Sequence, residues 1–323
     1  MPSSIAHILI AHNAYKILSR ELPHIGELIL NKSNHFRLGS LGPDLPSYRT
    51  KNLIKAALEQ LIVRPFVNLT QPQKEDASFF FHSIRPNLFP YYLMEMNLAF
   101  ADLKNNQLLK HDFNVATFVF TLGFVTHIAA DQVIHRLVRE ITGPYYRSLE
   151  ISQKHSNCEV HQDIFLFYEL YPDRTFDKMI VSDSINIKKF GFEYERFCNL
   201  ISLAISKAGY PKLLTKDIDA WIDGIIFAFD MMDNVGPYVK ALESYNKNKN
   251  NLAELDEYKL YFKNTDNGFN YMKYYDDAVK LSIQYMKEII RLWEEPDFSF
   301  ESFIKYQRVI RPEDLTSPFA IFQ

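Results

Sequence analysis

The stretch GFVTHIAADQVIH, residues 123–135, places His127, Asp131 and His135 at four-residue steps inside an apolar segment. We call these three residues the first ridge. In an α-helix, residues four apart lie on one face about 6 Å apart along the axis. The two histidine α-carbons would then be about 12 Å apart, which suits two neighbouring ions with the carboxylate between them better than one ion. The spacing therefore predicts a buried helix with a metal-binding face.

A second segment repeats this spacing in KHSNCEVHQD, residues 154–163, where His155, Glu159 and Asp163 form a second ridge. A buried carboxylate beside histidines is costly to desolvate unless it is paired or bound to a metal. Zinc favours this mixture of imidazole and carboxylate ligands. An ordinary buried ion-pair network is the alternative that the pattern leaves open.

The composition indicates a globular protein without a broad basic surface. The chain has 323 residues, 47% of them hydrophobic, and a formal net charge of −3. This is enough apolar material for a sizeable core, but the charge does not favour holding a nucleic acid by its phosphates, so no nucleic acid is expected as a partner. The two cysteines are too few for a disulfide framework. The N-terminus lacks a classical signal peptide, so we expect a cytoplasmic protein or one secreted without such a signal.

Helical periodicity dominates the chain. Apolar residues recur at three- and four-residue steps in the segments 5–19, 52–64, 92–109, 114–138, 153–170, 193–208, 217–232, 252–262 and 271–293. The longest apolar run, 115–130, is shorter than a membrane span and contains three threonines and a histidine, so we interpret it as a buried helix. The prediction is an all-α, multi-helix bundle without a transmembrane segment.

A polar patch suggests how the chain divides. The residues NKNKNN at 246–251 form either a solvated loop or a boundary. We therefore predict a first domain over 1–245 and a C-terminal helical extension over 252–323, and leave open whether the extension packs on the same core. The sequence sets no oligomeric state.

The order of the histidines and carboxylates resembles that of the zinc-dependent phospholipase C family, which shares its fold with single-strand-specific zinc nucleases. The family's first helix carries a histidine, matched by His7 in SIAHILIAHNAYKIL. An aspartate in a loop follows, matched by Asp44 in GSLGPDLP, where we interpret Gly39 and Gly42 as turn glycines that aim it. A lone histidine after an aromatic segment is matched by His82 in FFFHS.

The two ridges supply the remaining signatures of that family. The first ridge contains H-x-x-x-D with a trailing histidine, and the second ridge contains H-x-x-x-E-x-x-x-D. The resemblance covers roughly residues 5 to 170 by motif and 5 to 245 by helix pattern. Each piece is short, and the specificity lies in the order of the five pieces.

The resemblance implies a phospholipase C-like bundle that encloses a cluster of two or three zinc ions. The ligands that it implies are imidazoles and carboxylates, namely His7, Asp44, His82, His127, Asp131, His135, His155 and Glu159. Two of the ions form a close pair bridged by Asp131, and a third lies nearby. Asp163 is expected to orient a ligand ring rather than to bind an ion.

The resemblance also divides these ligands among the ions. It assigns His135, His155 and Glu159 to the third ion and His7 to one ion of the pair. The two other histidines and Asp44 complete the remaining ion.

Two features differ from the family pattern. The secreted relatives bind a metal through the amino group of an N-terminal tryptophan, whereas this chain starts Met1-Pro2. One ion is therefore expected to be weaker or absent. The spacing from Asp131 to His135 is also shorter than in those relatives, so His135 is the ligand of the first ridge that the pattern supports least.

The implied metals predict the chemistry. Metal ions neutralise the oxygens of a phosphodiester, lower the pKa of a bound water and stabilise the leaving alkoxide. The leading prediction is a phospholipase C-type hydrolase of phospholipids that contacts membrane surfaces at most transiently, with Asp44 as a ligand or also as the base. The alternatives are a single-strand nuclease, which needs stacking aromatics and a basic groove, and a helical metal-binding interaction protein without catalysis.

Overall fold

The computed structural model describes residues 4–48, 77–83, 85–102, 112–143, 149–176, 184–187, 189, 191–211, 213–230, 237–264 and 268–312. Within these ranges nearly all regular structure is helical, so the predicted all-α fold is confirmed. The strand pairing found there is a two-residue antiparallel ladder that joins Lys263 to Asn270 and Asn264 to Phe269.

The N-terminal part consists of α1 (Ser4–Glu21), α2 (Pro23–Asn31), α3 (Ser33–Ser40) and a 3₁₀ segment (Gly42–Tyr48). Pro23 begins α2 at a position where a missing backbone N–H costs little and the restricted φ of proline suits a helix. The 3₁₀ segment contains Asp44, for which the sequence predicts a loop. Pro43 and Pro46 lack the N–H groups of a longer α-helix, and the backbone instead forms this short, tight turn.

The two ridges lie on the central helices. The next helices along the chain are α4 (Ala77–Ser83), α5 (Leu88–Asp102), α6 (Asp112–Thr142) and α7 (Leu149–Leu170). Every residue of α6 from 116 to 131 is buried. By length and composition α6 is apolar enough to cross a membrane, but 89% of its most apolar window is buried inside the protein. The prediction that this run is a buried helix is confirmed.

The remaining helices are α8 (Phe192–Lys207), α9 (Thr215–Asp230), α10 (Pro237–Asn248), α11 (Asp256–Tyr261), α12 (Tyr271–Glu294) and α13 (Phe300–Val309). The single helix predicted over 252–262 is wrong in detail, because a 3₁₀ turn (Leu252–Glu254) and an extended Leu255 precede α11. The sequence pattern also fails to predict α2, α3, α4, α10 and α13. All of these except α10 have at most 10 residues, which is too short to establish a clear period. The predicted segment 52–64 lies outside the described residues.

The C-terminal helices pack against the same core as the N-terminal ones. The ring of Phe118 on α6 stacks on that of Trp293 on α12, with 4.4 Å between the ring centroids. Buried residues from α1, α6, α8 and α12 belong to one hydrophobic cluster. The division of the chain into 1–245 and 252–323 stays a prediction.

Two glycines allow α3 to cross α6 at backbone contact distance. A β-carbon at Gly39 would lie 2.1 Å from the carbonyl oxygen of Phe120, and one at Gly123 would lie 2.0 Å from that of Phe36. Both distances are far inside van der Waals contact, so only hydrogen fits at either position. The crossing therefore depends on glycine in both helices.

A third glycine continues this close approach into the 3₁₀ segment. A β-carbon at Gly42 would lie 2.3 Å from the ring of Phe124. Neither Gly39 nor Gly42 has a positive φ. The interpretation of Gly39 as a turn glycine is wrong, because it lies inside α3, whereas Gly42 does begin the 3₁₀ turn. Both glycines allow close packing against α6. The packing still brings Asp44, two residues further on, towards the first ridge.

We expect Gly123→Ala to destabilise the protein, because its methyl group would overlap the Phe36 carbonyl and force α3 away from α6. Overpacking of this kind typically costs about 1–3 kcal/mol of the free energy of unfolding. Urea unfolding measures the loss, and Glu140→Ala on the exposed face of α6 is the control. Equal unfolding midpoints for the two variants would contradict the close crossing.

Candidate metal centre

The structure brings all eight predicted ligand side chains into one buried cluster. They come from α1, the 3₁₀ segment, α4, α6 and α7. Seven of the residues are at most 6% exposed. The side chain of His135 is the most open of the eight, with 13% of its surface exposed. The residues predicted from the two ridges and from the resemblance therefore lie together in space, and metal binding by them is a proposal that follows from the geometry of this cluster.

Asp131 lies at the middle of the cluster, with each carboxylate oxygen near two imidazoles. Its Oδ1 lies 3.2 Å from Nε2 of His7 and 3.3 Å from Nε2 of His135. Its Oδ2 lies 3.2 Å from Nε2 of His127 and 3.6 Å from Nε2 of His82. The carboxylate thus faces two sets of nitrogen atoms through its two oxygens, as a bridging ligand does.

The other ligands form two groups on either side of Asp131. In the first group, Oδ1 of Asp44 lies 3.1 Å from Nε2 of His82, and Oδ2 of Asp44 lies 3.9 Å from Nε2 of His127. In the second group, Oε1 of Glu159 lies 3.1 Å from Nε2 of His155 and 3.4 Å from Nε2 of His135. The first ridge is helical, and its two histidines lie in different groups. This agrees with the predicted separation of their α-carbons.

His7 lies where these groups meet. Its ring stacks on that of His127, with 3.8 Å between the centroids and 8° between the planes. One ligand atom each from His7, Asp44 and His127 lie within 4.8 Å of one another. The same criterion brings together His82, His127 and Asp131, and also His135, His155 and Glu159. His7 is therefore within reach of the first group as well as of the Asp131 carboxylate.

Backbone carbonyls orient two of the histidines. Nδ1 of His127 donates to the carbonyl of Ser40 at 2.9 Å, and Nδ1 of His82 donates to the carbonyl of Ser78 at 2.7 Å. Because a carbonyl only accepts, the proton of each neutral ring must lie on Nδ1. The lone pair of Nε2 then points towards the carboxylates, which is how metal-binding histidines are held.

The central atoms of the cluster fit a cation better than they fit one another. Nε2 of His127, Oδ2 of Asp44 and both oxygens of Asp131 are buried without a hydrogen-bond partner. A buried polar atom left without a partner is costly, and here several acceptor atoms converge. When the rings are neutral and carry their protons on Nδ1, the facing Nε2 and carboxylate oxygens are all acceptors and cannot bond to one another, whereas protonated rings would pair with the carboxylates here. A cation between them supplies the missing interaction, so the residues fit a metal.

The charges of the cluster depend on one another. Burial alone would raise the pKa of Asp131, but the positive charges that His135 and His127 can carry hold it well below its ordinary value. Burial alone would lower the pKa of His82, but its hydrogen bond to Asp44 raises it to about 9. The carboxylates are thus ionised, and protons compete with metal ions for the imidazoles.

Asp163 interacts with the cluster through the backbone. Its carboxylate accepts hydrogen bonds from the N–H groups of Ile5 and Ala6 at the start of α1, and from the hydroxyl of Tyr238 on α10. These bonds orient the start of the helix that carries His7, and the orientation of a ligand ring by Asp163 stays a prediction. No local signal identifies Tyr238, because it follows Asp163 by more than seventy residues.

The comparisons with known proteins agree with this geometry. The sequence model of the family described as zinc-dependent phospholipase C matches residues 6–208. This range is well over half of the chain and contains all eight predicted ligands. No curated protein and no solved structure gives a significant match. The chain belongs to the zinc-dependent phospholipase C family.

Proposed function

We propose that the protein is a zinc-dependent hydrolase of phosphodiesters that acts on phospholipids as a phospholipase C does. The observation that carries the proposal is the Asp131 carboxylate, whose two oxygens face separate sets of imidazoles in a buried site. A bridging carboxylate of this kind suits metal ions held close together. Such ions are the usual means of stabilising both the attacking and the leaving oxygen at phosphorus.

The ligand assignment follows the two groups. Asp44, His82 and His127 would hold one ion with Oδ2 of Asp131, and the group of His135, His155 and Glu159 would hold another. His7 with Oδ1 of Asp131 offers the start of a third position. Zinc at these positions would supply a Lewis acid that polarises the phosphate and activates a water for attack.

The charge of the site favours an anionic substrate. The three carboxylates of the cluster contribute −3, and the histidines are neutral when they act as ligands. Two zinc ions would bring this to +1 and three would bring it to +3. A positive centre buried in a helical core attracts a phosphodiester anion strongly, because little water screens the interaction.

Asp44 is the residue that we propose as proton acceptor. Its Oδ2 is buried without a hydrogen-bond partner, while its Oδ1 lies 3.1 Å from Nε2 of His82. Burial tends to raise the pKa of Asp44, but His127 and His82 lower it below its ordinary value. The carboxylate is therefore ionised and able to accept a proton, although its lowered pKa makes it a weak base, so its role as a metal ligand comes first.

The composition favours a lipid over a nucleic acid. With 36 Lys and Arg against 39 Asp and Glu, the chain has no excess of positive charge to bind a polyanionic strand. A single headgroup phosphate needs only the metal centre.

The first prediction for this function concerns the bridge. Asp131→Asn removes the charge that allows two cations to lie close together, so it should abolish hydrolysis and lower the bound zinc more than His135→Ala does. Metal content by mass spectrometry and headgroup release are the measurements. His12→Ala is the control, because this half-buried residue of α1 lies outside the cluster. If His12→Ala lost its metal while His7→Ala kept it, our interpretation of α1 would be wrong.

The second prediction concerns the group on α7. Glu159→Gln and His155→Ala should each lower the zinc stoichiometry by about one ion if both residues hold the same ion. Removing zinc with a chelator should also lower the melting temperature of the wild type, because the ligands join five chain segments. Unchanged stoichiometry in both variants would remove this group from the metal centre.

The third prediction concerns the substrate. The zinc-loaded protein should release a phosphorylated headgroup from dispersed phospholipids and leave single-stranded DNA and RNA largely intact. Asp44→Asn should eliminate the release, because it removes a ligand charge and the proposed base. Cleavage of single strands without headgroup release would support a nuclease instead. Inactivity on both substrates with zinc fully bound would support an interaction protein.

A further inference from the structure

Asp163 is a fully buried carboxylate that lies one helical turn after Glu159 on α7. It accepts hydrogen bonds from the backbone N–H of Ala6 at 2.7 Å and of Ile5 at 3.3 Å. The hydroxyl of Tyr238 donates to it as well. The N–H groups of a helix's first turn have no partner within the helix and carry partial positive charge. The acceptor oxygens of this carboxylate therefore hold the start of α1.

A second contact ties the same end of α1 to the metal centre. The hydroxyl of Ser4 lies 2.8 Å from that of Tyr48, at the end of the 3₁₀ segment that contains Asp44. The beginning of α1 is thus joined to α7, which carries Glu159, and to the segment that carries Asp44. Both connections lie within three residues of His7.

His7 needs such support more than His82, His127 and His155 do. Backbone carbonyls hold Nδ1 of His82 and of His127, and Oγ1 of Thr142 lies 3.4 Å from Nδ1 of His155. Nδ1 of His7 is buried without a hydrogen-bond partner. The position of its ring therefore depends on where the α1 backbone lies and on stacking against His127.

We propose that Asp163 is a positioning residue of the metal centre, which holds the start of α1 so that His7 reaches Asp131 and binds the ion shared between them. Tyr238 supports this carboxylate from α10. The inference rests on the proposed function for the presence of metal, but it concerns one ion only. It predicts that loss of Asp163 weakens the ion at His7 and leaves the ion of His135, His155 and Glu159 in place.

The test compares metal affinities in the full-length protein. Zinc is titrated against a chelator of known affinity, and cobalt(II) absorption spectra of the same variants report which site changes. Asp163→Asn keeps the shape but replaces one accepting oxygen by an amide nitrogen. We expect it to weaken one ion by about 10–100-fold, the range typical for lost supports of metal ligands, and to change the same cobalt band as His7→Ala. Tyr238→Phe should act in the same direction but more weakly.

Two controls make the result specific. Tyr194→Phe removes another tyrosine–aspartate hydrogen bond, to Asp219 between α8 and α9, and should leave all metal affinities unchanged. The double variant Asp163→Asn/His7→Ala should lose no more metal than His7→Ala alone. Circular dichroism establishes that each variant is folded, and Tyr238→Phe still tests the idea if Asp163→Asn does not fold.

Three outcomes would overturn the proposal. The first is a folded Asp163→Asn, or Tyr238→Phe in its place, with wild-type metal affinities. The second is loss of the ion that depends on Glu159 instead of the one that depends on His7. The third is a His7→Ala variant that binds as many ions as the wild type. A wild type that binds its ions but releases no headgroup would contradict the proposed function alone, because the metal measurements would still decide the role of Asp163.

Discussion

The ionised carboxylate of Asp131 lies in the centre of the longest described helix, with no exposed side-chain surface and four imidazole nitrogens within 3.6 Å. Removing such a charge from water is unfavourable unless positive charge surrounds it. Imidazoles supply that charge when protonated, and metal ions supply it when the rings are neutral. The remaining ligands are placed so that such charge can be supplied. Each of the other elements of the site brings a nitrogen or an oxygen towards one side of the carboxylate.

Close backbone packing makes this arrangement possible. Gly39 and Gly123 allow α3 to lie against α6, and the carbonyl of Ser40 at the end of α3 then reaches Nδ1 of His127. On the other side of the 3₁₀ segment, Gly224 of α9 faces the carbonyl of Tyr48, where a β-carbon would lie 1.6 Å from the oxygen. The 3₁₀ segment that contains Asp44 thus has a glycine contact at each end, between Gly42 and the Phe124 ring and between Gly224 and the Tyr48 carbonyl. The glycines at these contacts matter to the site although none of them binds a metal ion.

The chain belongs to its family, and the resemblance supports the proposed metal positions at His135 and at His7 least. Its closer spacing between Asp131 and His135 still places both on one helical face, and Nε2 of His135 lies 3.4 Å from Glu159 on α7. The short spacing is therefore compatible with a second group. At His7, the described residues offer the ring and the Asp131 carboxylate, and hydrogen bonds to Asp163 and Tyr48 hold the start of that helix. Here the hydrogen bonds hold the start of the helix that carries the ligand, whereas at His82 and His127 they hold the ligand ring itself.

The sequence by itself determined the helical class and the candidate ligands of the two ridges, because the four-residue spacing of each ridge is a property of the helix that contains it. His7, Asp44 and His82 came from the resemblance to the family. The order of the motifs along the chain also identified the family, since that order can be read without any knowledge of contacts. Only the tertiary structure decided that Gly39 serves a helix crossing, that Asp44 is buried in a 3₁₀ turn, and that Asp163 holds the backbone of α1. Each of these depends on contact between segments far apart in the chain, and hydrophobic periodicity contains no information about which helices meet.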